Sequence, residues 1–98
     1  MMARLLLDRR VAISESAFVE LVLWAVPESV RGSVHHYKYR LALVARGVCV
    51  LRYDNEAGKG DHRHVGEVET AYVFVDVDRL IADFWTDVAR WRHDNPDA

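Results

Sequence analysis

Apolar and polar positions alternate along most of this chain, and the spacing becomes helical near its end. Residues 5–13 carry apolar side chains on both sides of a two-residue period and predict a first strand. Residues 18–26 are more continuous: Phe18, Val22, Trp24 and Val26 share one face, and Val19, Leu21 and Leu23 the other. A run of this kind predicts a strand covered on both sides. Pro27 ends it, and residues 27–36 read as a polar connection containing Gly32 and Ser33. In Tyr37–Ala45, Tyr37, Tyr39, Leu41 and Leu43 share a face opposite Lys38 and Arg40. Arg46-Gly47 is a tight-turn signal into a strand at 48–53, and 68–75 resumes the alternation with Val68, Thr70, Tyr72 and Phe74 on one side.

The last element reads as a helix. Asp76 is a plausible N-cap, Asp78 lies in the first turn where the helix dipole favours an acid, and Val75 with Leu80 could form a hydrophobic staple. Leu80, Ile81, Phe84, Trp85, Val88 and Trp91 recur at helical spacing and make one broad apolar stripe, which Asn95-Pro96 terminates. The predicted fold is α+β: an antiparallel β-meander of about five strands with one C-terminal amphipathic helix packed on one face. One helix leaves the second sheet face wet or open to a partner. A homodimer would cover the two-sided run at 18–26 equally well.

Length sets one domain, residues 1–98, large enough for a single modest core. The net charge of −2 argues against a protein that coats nucleic acid nonspecifically. Its distribution is uneven, because 27–66 hold seven Lys and Arg against four acids, whereas 67–98 hold three Arg against eight. If that polarity matters, the middle faces an anion and the helix faces solvent or a basic partner. The single cysteine, Cys49, excludes an internal disulfide and lies among Val48, Val50 and Leu51, where a buried strand position is expected. No apolar run approaches the roughly 18–20 residues needed to span a bilayer. The N-terminal apolar stretch is too short for a secretory signal, so no membrane contact and a cytoplasmic location are expected.

The chemistry concentrates in residues 53–64, YDNEAGKGDHRH. A connection of this length in so small a domain is usually functional. On extended backbone, His62 and His64 point to the same side, their roots roughly 6–7 Å apart. Such a pair could chelate a metal with Asp54, Asp61, Glu67 or Glu69, or act as general base and general acid on either side of a phosphate. Lys59, Arg52 and Arg63 would then stabilise a phosphorane-like transition state, while Gly58 and Gly60 permit close ligand approach. Metal-free RNA cleavage needs those parts and no cofactor, since the 2′-hydroxyl is the nucleophile. The same parts suit phosphate binding without turnover. They also suit a plain turn in which Asp54 and Asn55 bond the backbone and the histidines are exposed. The glycines do not form a P-loop, which requires a longer spacing and a Lys-Ser/Thr ending.

A second cluster, His35, His36, Tyr37, Lys38 and Arg40, could line the same site if the two loops emerge at one end of the sheet. Tyr37 and Tyr39 are expected to face the core.

Residues 18–27 (FVELVLWAVP), 32–41 (GSVHHYKYRL), 50–66 (VLRYDNEAGKGDHRHVG) and 80–91 (LIADFWTDVARW) together resemble the TumE-type family, the toxin half of a bacterial toxin–antitoxin operon. Val34 and His36 stand where smaller or more variable residues are expected. The resemblance implies a small cytoplasmic toxin that arrests growth and is neutralised by a helix-turn-helix antitoxin encoded beside it. It supplies no catalytic assignment; the residues that carry over are those of the third stretch with His35, Tyr37 and Lys38. The basic middle third and the paired imidazoles make action on RNA the leading expectation. His62, His64, Lys59, Arg63 and Asp61 form the candidate catalytic set, and Arg52, Asp54, Asn55, Gly58, Gly60, His35 and Lys38 contact substrate.

Overall fold

The computed structural model describes residues 2–97. Six strands run in chain order as neighbours in one antiparallel sheet: β1 (Arg4–Ala12), β2 (Ala17–Ala25), β3 (Tyr37–Ala45), β4 (Val48–Asp54), β5 (His62–Val65) and β6 (Val68–Ala71). This is the expected meander, and each connection is a hairpin, so the topology needs no crossover. Among the described residues no helix is long and apolar enough to cross a membrane.

The helix α1 spans Val77–Asp94 and is bounded as its end residues dictate. Asp76 is extended, and its side chain accepts from the Arg79 backbone N–H at 2.7 Å. Asn95 closes the other end. The staple is not formed as expected: Leu80 is fully buried, but Val75 is 64% exposed. Leu80, Phe84 and Val88 form the buried stripe of α1, one turn apart, against the sheet.

Strand parity then sorts every side chain. Val19, Leu21 and Leu23 of β2, Tyr39, Leu41 and Leu43 of β3, and Leu51 and Tyr53 of β4 form the buried face with α1. Burying side chains of this size stabilises the fold by roughly 1.5–3 kcal/mol each. Registers Glu20–Ala42–Arg52–His64–Glu69 and Val22–Arg40–Asp54–His62–Ala71 run across the opposite, open face.

Two local readings change. The segment 53–64 is not one connection: Tyr53 and Asp54 belong to β4, His62 and His64 to β5, and only 55–61 is loop. Cys49 is exposed rather than buried. A register irregularity pairs Leu43 with Leu51 but Val44 with Cys49. The extra residue there bulges the strand, which is how such a slip breaks the alternation expected from spacing alone.

Candidate functional site

β5 places His62 and His64 on the open face, with ring centroids 6.4 Å apart. Both rings are shielded along their sides, with 18% and 21% of the side chains exposed. His62 is fixed from its own loop: Nδ1 lies 2.8 Å from the Gly60 carbonyl, which only accepts, so Nδ1 carries the proton. Its Nε2 is 3.4 Å from Glu69 Oε1 across the β5–β6 pair. His64 faces different company. Arg52 Nη2 lies 3.1 Å from its Nε2, and a guanidinium only donates, so this nitrogen accepts. The neighbouring carboxylates of Asp54 and Glu69 are farther off, at 3.9 Å. Arg52 Nε lies 3.1 Å from Asp54 Oδ2, but it makes no aligned hydrogen bond there, so the contact is charge attraction alone.

Thus His62, His64, Arg52 and Asp54 come together, and Glu69 joins them. Lys38 and Arg40 are exposed on the same face and line a groove of about 290 Å³ with Asp54, Asn55 and Glu56. Arg40, expected from the second cluster to line the site, sits directly across Asp54 from His62 in the register. Lys59 lies at the exposed loop tip, where its amine is 4.0 Å from Glu56.

Parity sends Asp61 and Arg63 to the other side. The Asp61 carboxylate accepts from Ser33 Oγ at 2.7 Å and Tyr39 Oη at 2.6 Å, and lies 2.7 Å from His35 Nε2. His35 is not beside the other imidazoles. Its Nδ1 accepts from the Tyr37 N–H, and its ring stacks on Phe74 with centroids 3.8 Å apart. Both of its nitrogens are therefore committed to the fold. Asn55 is 1% exposed; its Oδ1 accepts from the Tyr39 N–H and its Nδ2 donates to the Tyr37 carbonyl at 2.7 Å. The glycines serve a backbone clasp. Gly58 N–H bonds the Arg31 carbonyl at 2.6 Å, and a Cβ on Gly60, at φ +74°, would meet Gly32 O at 2.8 Å.

Arg63 reaches under α1 to Asp87 Oδ2 at 2.6 Å, which Tyr53 Oη also reaches, at 2.5 Å. Burial pushes the Asp87 carboxyl up, but the hydrogen bonds from Arg63 and Tyr53 and the charges of Arg63 and Arg90 outweigh it. Its net position is below the ordinary carboxylate range. Burial and the Asp87 bond hold the Tyr53 phenol far above its usual range. A depressed folded carboxyl contributes stability that is complete above its unfolded pKa of about 4 and is lost as pH falls through the folded value. Urea midpoints should therefore stay level from neutrality to about pH 5 and drop below about pH 4, and Asp87→Asn should flatten that acid limb. An equally steep limb in Asp87→Asn would place the acid sensitivity elsewhere.

Charge on the open face is balanced, with Arg10, Lys38, Arg40 and Arg52 set against Asp8, Glu20, Asp54 and Glu69. Among the described residues no group of three or more His, Cys, Asp or Glu side chains is arranged to hold a metal ion. The nitrogen-to-oxygen separations of 3.4–3.9 Å around Glu69 are charge contacts without aligned hydrogen bonds.

The geometry is thus a pair of imidazoles with unlike hydrogen-bond roles, held on an open sheet face beside a guanidinium. No curated protein and no solved structure matches the chain. Residues 2–92 match the family described as Toxin TumE, nearly the whole chain and all four stretches that carry the resemblance. The chain belongs to the TumE family of toxins.

Proposed function

We propose that this toxin acts on RNA, cleaving it by metal-independent proton transfer at His62 and His64. The observation that supports the reading is the complementary environment of the two rings. His62 faces acceptors through both nitrogens, and His64 accepts from Arg52 through Nε2. In this mechanism His64 takes the proton of the 2′-hydroxyl as that oxygen attacks phosphorus, and His62 delivers one to the departing 5′-oxygen. Arg52 releases its contact with His64 and stabilises the equatorial phosphorane oxygens. Glu69 orients His62, and Asp54 keeps Arg52 in place. Lys38 and Arg40 bind the flanking phosphates. Asp61, Arg63, His35, Asn55, Gly58 and Gly60 hold the loop and β5 in position, acting through the fold rather than on substrate. Growth arrest then follows from RNA damage in the cytoplasm, relieved by an antitoxin of the helix-turn-helix type encoded beside the toxin.

The runner-up is a non-enzymatic module that binds a protein partner through the same face. The balance of positive and negative groups there favours it, since a phosphate-binding surface is usually unopposed. Incubating the purified protein with cellular RNA, with and without a chelator, separates the readings. Cleavage in both conditions is the expected outcome. Cleavage lost on chelation would indicate a metal enzyme, and intact RNA in both would indicate a binder.

A further inference from the structure

The strand β1 stands at the edge of the sheet, with β2 on one side and, among the described residues, no strand on the other. It is nine residues long, mostly exposed, and carries Leu5 and Leu6 at 44% and 43% exposure. A long uncovered edge presents a row of unpaired backbone donors and acceptors that another strand can complete. We propose that β1 pairs antiparallel with β1 of a second copy about a two-fold axis at Arg9, joining two sheets into one. This inference does not depend on RNA being the substrate.

Geometry and charge select the register. A two-fold axis normal to the sheet keeps each face on its own side, so residues that pair across it must share a face. Asp8, Arg10 and Ala12 lie on the open face, because they pair with Val22, Glu20 and Phe18; Leu7, Arg9 and Val11 lie on the helix side. Any axis centred on a residue satisfies the rule, and those at Asp8, Arg9 and Arg10 pair at least five of the nine residues of β1 without centring on the Leu5–Leu7 irregularity. An axis at Asp8 sets Asp8 against itself and Leu7 against Arg9, and an axis at Arg10 sets Arg10 against itself and Arg9 against Val11. The axis at Arg9 instead sets Asp8 against Arg10 twice on the open face and Leu7 against Val11 twice on the helix side. Opposite charges and apolar pairs directly across a ladder both stabilise it. The Leu7–Val11 pairs also extend an existing layer, since both side chains already pack against the core. The like-charge contact of Arg9 with itself is the cost, eased by long stems that let the exposed heads diverge.

Pairing β1 with β6 of another copy would be heterologous and would propagate a filament, whereas β1 with β1 closes as a dimer. Because the axis is normal to the sheet, both His62–His64 pairs open on the same side. Nine strand steps separate them, roughly 40 Å at 4.8 Å per step.

Sedimentation velocity over a wide concentration range tests the proposal through charge reversal. The wild-type chain should shift toward twice the monomer mass as concentration rises, in the weak range typical of a small interface. Asp8→Arg alone places arginine against arginine at both contacts, and Arg10→Asp alone places aspartate against aspartate, so each should remain monomeric. Mixed in equal amounts, the two variants regain opposite charges at both contacts and should associate at the wild-type concentration. Circular dichroism melts of each variant check that the monomer is folded, and recovery in the mixture excludes misfolding as the cause. A monomeric wild-type chain, or variants that dimerise as well as wild type, would overturn the pairing. So would a mixture that fails to associate.

Discussion

Replacing either His62 or His64 by alanine is expected to abolish growth arrest and to slow RNA cleavage by roughly 10²–10⁴-fold, with the melting temperature little changed. The magnitude is that of one positioned proton-transfer group. The small stability cost follows from their setting, because both rings lie on the open face outside the α1 core and neither supports another strand by a buried contact. Removing both should cost little more than removing one, since the groups act as a unit. Substitution of Arg63 or Asp61 should look different, with activity falling alongside the melting temperature, because these side chains bond to Asp87 under α1 and to Ser33, Tyr39 and His35 beneath the sheet. Assays of growth arrest and of purified protein, paired with thermal melts, separate the classes. Full toxicity in a folded His62→Ala, His64→Ala double variant would remove the catalytic reading.

Asn55→Ala is expected to lower stability by about 2–4 kcal/mol, a fall in melting temperature of at least about 10 °C. Asn55 is 1% exposed and joins three groups: the Tyr39 N–H, the Tyr37 carbonyl and Ser33 Oγ. Truncation leaves the two backbone groups without a partner in a buried site, the costliest way to lose a hydrogen bond. It also releases the loop 55–61 whose Gly60 carbonyl holds His62, so activity should fall with stability. If Asn55 contacts substrate instead, the variant should melt like wild type while binding RNA more weakly. Chemical denaturation and an RNA-binding titration on the same preparation decide between them.

Most of the fold was legible because its signals are local. Alternation marked β1 to β4, and Asp76 and Asn95 marked the ends of α1. β5 was hidden for a physical reason: His62-Arg63-His64 is polar on both faces, so no apolar period announces a strand. The same parity that put the two imidazoles side by side also puts Asp61 and Arg63 opposite them. The side chains were separable in sequence, but that the second side lies under α1 was not, because it depends on where the helix returns. Asn55 was read as a substrate contact because it lies in the stretch that carries the resemblance; its burial comes from its bonds to the β3 backbone, a long-range event, and the plain-turn reading came nearer. Arg40 and Glu69 were named among the candidates, but strand pairing is what sets them beside Asp54 and the two imidazoles, and Cys49 was misplaced by a bulge that spacing does not encode.

The chemistry of the cut ends is the most direct test. A 2′-hydroxyl attack driven by two imidazoles leaves a 2′,3′-cyclic phosphate on one fragment and a 5′-hydroxyl on the other, with chelator present throughout. Mass spectrometry of the fragments from wild-type protein should show those ends, and a substrate with a 2′-deoxy sugar at the cut should stay whole. Fragments ending in a 3′-hydroxyl, or cleavage of the deoxy substrate, would contradict catalysis by His62 and His64.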